Sequence, residues 1–194
     1  MTHPLNRTIC WKPLWNPGHR GLGLEHLVLE NLSASSVVLA INEDEKPFRL
    51  SYDLTWDQRW RLREANLVVV TNGRTQSLSL RSNGEGQWEY ADGNPFAELD
   101  GCIDIDIWPT PFTNSFPIRR VPMAVGSRHE FRMAWIDATT LTVVAQRQAY
   151  TRLEDRLYRF ENLDGSDFRA DLRVDADGIV LDYPGFFERI DSQR

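Results

Sequence analysis

Residues 67–80 read LVVVTNGRTQSLSL. Two runs rich in strand-forming residues flank Asn72-Gly73, a pair that tolerates positive φ at both central positions of a type I′ turn. That turn sets a register, with Thr71 beside Arg74 and Leu67 opposite Leu78. Upstream, Phe48, Leu50, Tyr52, Leu54 and Trp56 alternate with Arg49, Ser51, Asp53 and Thr55, the pattern of a half-buried strand. Downstream, residues 167–185 (DFRADLRVDADGIVLDYPG) repeat the device around Asp177-Gly178. A two-residue turn there pairs Val174 with Leu181 and Leu172 with Tyr183, and sets Arg173 against Asp182 as a cross-strand ion pair.

Working outward, strands are expected at Leu22–Glu30, Val37–Ile41, Gln87–Tyr90, His129–Ile136, Leu141–Thr151 and Leu157–Asn162. No segment carries a long helical stripe. The best short helix starts at Thr110, with Pro111 at its first position and Pro117 limiting its length. The expected fold is one mainly β, mainly antiparallel domain over residues 1–194, held by hairpins.

The chain's 194 residues are long enough to bury roughly 70% of the unfolded surface. A net charge of −6 argues against a nucleic-acid partner and against a polybasic membrane anchor. The first fifteen residues hold no continuous apolar region of the secretory kind, and no run approaches a bilayer span, so the expected compartment is the cytoplasm. Cys10 and Cys102 have no metal-ligand spacing and read as two reduced thiols. His3, His19, His26 and His129 are scattered. Neither a nucleophile elbow nor a phosphate-binding loop is present, and no cofactor or metal is implied.

One stretch breaks the apolar pattern. Gly101–Arg120 reads GCIDIDIWPTPFTNSFPIRR, with Asp104 and Asp106 on the strand face they share with Cys102 and Trp108, opposite Ile103, Ile105 and Ile107. Same-face neighbours lie roughly 6.7 Å apart. Two carboxylates at that distance repel by about 0.6 kcal/mol in water and roughly 2.5 kcal/mol at an effective dielectric near 20. On an open face they need no explanation; in a pocket they need donors, cations or a raised pKa. The run is similar to the acidic strand of chitinase-type glycosidases. Trp108 stands where their catalytic acid would follow, and the (β/α)₈ barrel those enzymes need is longer and helical. A small carbohydrate-active hydrolase using carboxylates among Asp104, Asp106, Asp182 and Glu25 is one alternative. A structural dimer module without a ligand is another.

Four segments together carry a resemblance: GEGQW (84–88), GCIDIDIWPTPFTNSFPIRR (101–120), QAYTRL (148–153) and VDADGIVLDYPGFFERI (174–190). With them the chain resembles the bacterial "putative glycolipid-binding" family, formerly a domain of unknown function. The first twenty residues match least. The resemblance implies a large antiparallel sheet wrapped around a single short helix, like the half-barrels of bacterial lipoprotein carriers. It also implies a homodimer, an acidic pocket and a role in glycolipid metabolism. In that picture Asp104 and Asp106 accept hydrogen bonds from a sugar headgroup, Thr113 and Asn114 add neutral contacts, and Arg119 and Arg120 balance the acids. Trp88, Trp108, Tyr150 and Tyr183 would stack on sugar or lipid, and Glu25 is a further candidate for the pocket. For the arginines a structural ion pair, and for the aromatics a place in the core, are the competing roles.

Overall fold

The computed structural model describes residues 6–42 and 44–190; His3 lies outside them. Among the described residues, fourteen strands form one sheet. The first seven are β1 (Arg7–Pro13), β2 (Gly23–Glu30), β3 (Ser33–Ile41), β4 (Pro47–Trp56), β5 (Leu62–Thr71), β6 (Arg74–Ser82) and β7 (Trp88–Tyr90). The rest are β8 (Asp104–Trp108), β9 (Arg128–Asp137), β10 (Thr142–Glu154), β11 (Leu157–Asn162), β12 (Arg169–Val174), β13 (Val180–Tyr183) and β14 (Phe187–Arg189). The spatial order runs β7 to β1, then β14 to β8. The two ends of the chain therefore meet mid-sheet, where β1 pairs with β14, and the open edges are β7 and β8.

Every neighbouring pair is antiparallel except β8 and β9. Parallel neighbours need a crossover connection. Here it is the segment between them, a 3-10 turn (Phe112–Asn114) running into α1 (Ser115–Arg120), the one α-helix among the described residues. The inward side of the sheet alternates as the sequence requires, with Phe48, Leu50, Tyr52, Leu54 and Trp56 all buried. The crossover fills the curl: Phe116 meets Trp56 edge-on at 5.4 Å and Trp60 at 5.5 Å. The edges approach without pairing as strands. Trp88 on β7 donates its indole N–H to the Cys102 carbonyl (2.7 Å), and the Gly101 amide donates to Gly86 (2.8 Å). A Cβ on Gly86 would come within 2.9 Å of Gly101 Cα, so this crossing requires glycine.

The Asn72-Gly73 turn has positive φ at both residues and the expected register, Thr71 with Arg74 and Leu67 with Leu78. The second hairpin differs. Arg173 stands opposite Asp182 as expected, but Val174 faces Val180 rather than Leu181. The Asp175 carboxylate accepts from the amides of Asp177 and Ile179, and this widens the turn and shifts the ladder. The helix also begins later than Thr110. That hydroxyl is taken up by the Phe112 amide and by Glu25, which holds the loop in a turn until Ser115. Pro117 sits in the first turn of α1, where a helix has no internal partner for an N–H. Strand β3 starts at Ser33, four residues before the expected Val37, because small Ala34 and Ser36 face inward there.

Candidate ligand-binding cleft

Loops from one end of the sheet surround a cleft of about 470 Å³. Trp15 follows β1, Asn42 and Asp44 lie between β3 and β4, and Asp137 and Thr139 lie at the β9–β10 turn. Asn162 ends β11, Ser166 and Phe168 come from the β11–β12 loop, and Phe186 from the β13–β14 turn. One wall is aromatic. Trp108 sits edge-on to Trp15 (5.3 Å) and Phe186 (5.6 Å), and Phe186 in turn contacts Tyr183 (5.1 Å) and Phe168 (5.2 Å). Edge-to-face contacts of this kind hold rings rigidly while leaving faces free to pack.

The polar wall centres on Asp106, half-buried on β8. It accepts from the Gln148 amide at 2.6 Å and from the Thr113 hydroxyl at 3.2 Å. Thr113 is itself fixed by the Ile107 amide, which donates to it at 3.0 Å. Burial pushes the Asp106 pKa up, and its two neutral donors only partly oppose that. Beside it, buried Asn114 donates to the Tyr150 hydroxyl at 2.8 Å and leaves its own Oδ1 without a donor.

Glu25 lies beneath this wall, 1% exposed. Its Oε1 accepts from Tyr52 (2.6 Å), Thr110 (2.8 Å) and Ser36 (3.0 Å), while Oε2 has no partner. Burial raises its pKa to about 7 against the three hydroxyls that pull it down. Thr110 lines the cleft and caps Glu25, so the buried acid is one side chain removed from the opening.

The residues singled out in the sequence thus separate into two groups. Asp106, Asn114, Trp108 and Tyr183 line the cleft, Thr113 orients Asp106, and Tyr150 anchors Asn114 from the core. Asp104 is buried apart from the cleft in a bidentate pair with Arg120 (2.8 and 2.5 Å). Arg119 stacks on Trp60 (4.3 Å) and donates to the Asp177 carbonyl; it meets neither aspartate. Trp88 ties the sheet edges together. Sequence reasoning missed Gln148, Trp15, Phe186 and Asp137. The one signal for Gln148 was its place at the head of QAYTRL; Phe186 stands in the Phe pair after Pro184-Gly185. Cys10 and Cys102 are both free, and burial pushes Cys102 up to about 11. Among the described residues no cluster of acids, histidines and cysteines could hold a metal, and no helix is long and apolar enough to cross a membrane.

The structure is thus one large open, mainly antiparallel sheet around a single short helix, with a cleft at one end lined by aromatic rings and carboxylates. The chain belongs to the family described as putative glycolipid-binding, whose model matches residues 8–189 and so takes in all of β1 but Arg7. It is similar to a solved structure of a DUF1089 family protein from Pseudomonas aeruginosa, with 47% identity and a TM-score of 0.84. The match covers 86% of this chain and 91% of that one. Among proteins of curated function, none matches.

Proposed function

We propose that the protein is a non-catalytic glycolipid-binding protein whose cleft takes the sugar headgroup, with the acyl part on apolar surface at the rim. One observation carries this reading. The Asp106 carboxylate, bonded by neutral groups alone, faces a wall of aromatic rings in a cleft large enough for a saccharide. Sugars present hydroxyl donors at their edge and C–H faces to rings, and this cleft offers an acceptor and flat apolar surface together. Family membership supports the same class of ligand.

Each hydroxyl bonded to a carboxylate contributes about 1.5–3 kcal/mol, so Asp106→Asn should weaken glycolipid binding about tenfold or more while acyl-only ligands bind as before. Calorimetric titration with a panel of bacterial glycolipids and their deglycosylated counterparts measures both. Failure of the unaltered protein to bind any glycolipid sinks the reading. A homodimer belongs to the same proposal. Leu24 and Leu39, cross-strand neighbours on the outer face of β2 and β3, are exposed beside Leu22 and Val37, an apolar surface a second copy would cover. Sedimentation at micromolar protein showing only monomer would remove it.

A further inference from the structure

We propose that the headgroup is cationic: an amino sugar with a free ammonium group, in preference to a neutral or phosphate-bearing sugar. This rests on the reading that the cleft holds a sugar headgroup, and it names the charge of that headgroup. The described residues lining the cleft include Asp44, Asp106 and Asp137 and no lysine, arginine or histidine. An anionic ligand would meet three carboxylates, of which Asp44 alone has a cation beside it, the exposed Lys46 at 3.5 Å.

Asp106 and Asp137 are also held by neutral donors, with no cation among their hydrogen-bond partners. Asp106 takes an amide and a hydroxyl, and Asp137 takes the Thr139 amide and hydroxyl and the Thr140 hydroxyl. The chain has arginines to spare within the same domain. Arg120 is committed to Asp104, while Arg7 and Arg189 are committed to Asp175, away from the cleft. Next to Asp106, Asn114 is 3% exposed and lines the cleft with an unpartnered Oδ1. The polar wall is therefore rich in acceptors: two carboxylates held by neutral donors alone and one amide oxygen without a donor. An ammonium is the complement of such a wall, since it carries three donors and no acceptor. The aromatic wall favours the same charge, because a ring presents its negative face to a cation. A neutral hydroxyl would satisfy the acceptors one at a time but leave the carboxylate charge unbalanced.

The test is calorimetric titration of the full chain at near-neutral pH with four octyl ligands. They are the glucoside, the 2-amino-2-deoxyglucoside, its N-acetyl derivative and octylammonium. The free amino sugar is expected to bind at least tenfold tighter than the glucoside, and N-acetylation should remove that gain. Asp106→Asn should remove the gain too, leaving the amino sugar and glucoside equivalent, and rising salt should shrink it in the unaltered protein. If the glucoside binds as tightly as the amino sugar, the cationic headgroup is overturned while the headgroup cleft stands. If octylammonium matches the amino sugar, the sugar part is overturned. If none of the sugar ligands binds, the headgroup cleft falls, and this inference with it.

Discussion

Where the Asp175–Ile179 turn meets the C-terminal end of α1, buried acids have cations. Asp175 accepts from Arg7 and Arg189, both at 2.7 Å, and Asp104 is held by Arg120. At the cleft end, Asp106 and Glu25 are supported by hydroxyls and an amide alone. Burial is strong at both ends, and it pushes Asp104 up even against the hydrogen bond and charge of Arg120. Burial raises Asp175, yet the hydrogen bond from Arg189, the Ile179 amide and the charge of Arg7 outweigh it and hold that carboxyl below its ordinary range. Burial wins at Asp106 and Glu25, and both are pushed up. One fold thus contains an end whose charges are already balanced and an end whose charges await a partner. The first is a stability device; the second has the character of a site, because unbalanced buried charge is tolerated where function needs it.

The largest effect should come from unbalancing the balanced end. Arg120→Met leaves Asp104, 1% exposed, as a buried carboxylate without its cation. Breaking such a pair costs about 3–5 kcal/mol, and the double variant with Asp104→Asn should recover most of it. Urea denaturation of the three proteins measures both values. A loss under about 1 kcal/mol for the single variant would show that the pair does not hold this end together.

Next in size is a pH effect at the unbalanced end. Glu25 binds its proton more tightly folded than unfolded, from an ordinary value of 4.5 to about 7. Its stabilising contribution is therefore complete below pH 4.5 and is lost as pH rises toward 7. The total is about 3 kcal/mol. Glu25→Gln mimics the protonated acid, so its stability should fall less than that of the unaltered protein across this window. Parallel pH slopes for the two would place the titration elsewhere.

The sequence made the balanced frame easier to read than the site. The Asn72-Gly73 turn, the alternation of β4 and the scarcity of helix follow from local rules, and they gave both the fold class and a correct hairpin register. β1 and β14 escaped because RTICWKP and FER are too short or too polar to alternate clearly, and their pairing closes the sheet between distant ends of the chain. The same-face argument singled out Asp104 and Asp106 together and could not separate their fates, one buried and one half-buried. Asp104 meets Arg120 at the end of α1, whereas Asp106 meets Gln148 on β10, 42 residues away in sequence. Glu25 stood apart from the main motif in the sequence, and its partners Ser36, Tyr52 and Thr110 come from three separate segments. Local pattern finds which residues face inward; long-range packing decides which of them are left unpaired.

The smallest expected stability change is also the sharpest contrast between the ends. Asp106→Asn removes an acid whose folded-state pKa is raised by burial, so the substitution removes a charge that folding disfavours at neutral pH. The linkage has the same sign as at Glu25. The proton's stabilising effect is present at low pH and is lost as pH rises from 3.8 through the raised value. Against that gain, the asparagine keeps one acceptor for the Gln148 amide and loses the charge assistance of both bonds. The two terms are of similar size and opposite sign, and the net change should stay within about 1 kcal/mol at pH 7. Ligand affinity should nevertheless fall tenfold or more. A thermal or urea midpoint near that of the unaltered protein, beside a collapsed titration signal, is the expected pairing. A loss of several kcal/mol for Asp106→Asn would mean that this aspartate belongs to the scaffold as Asp104 does, and the contrast between the two ends would fail.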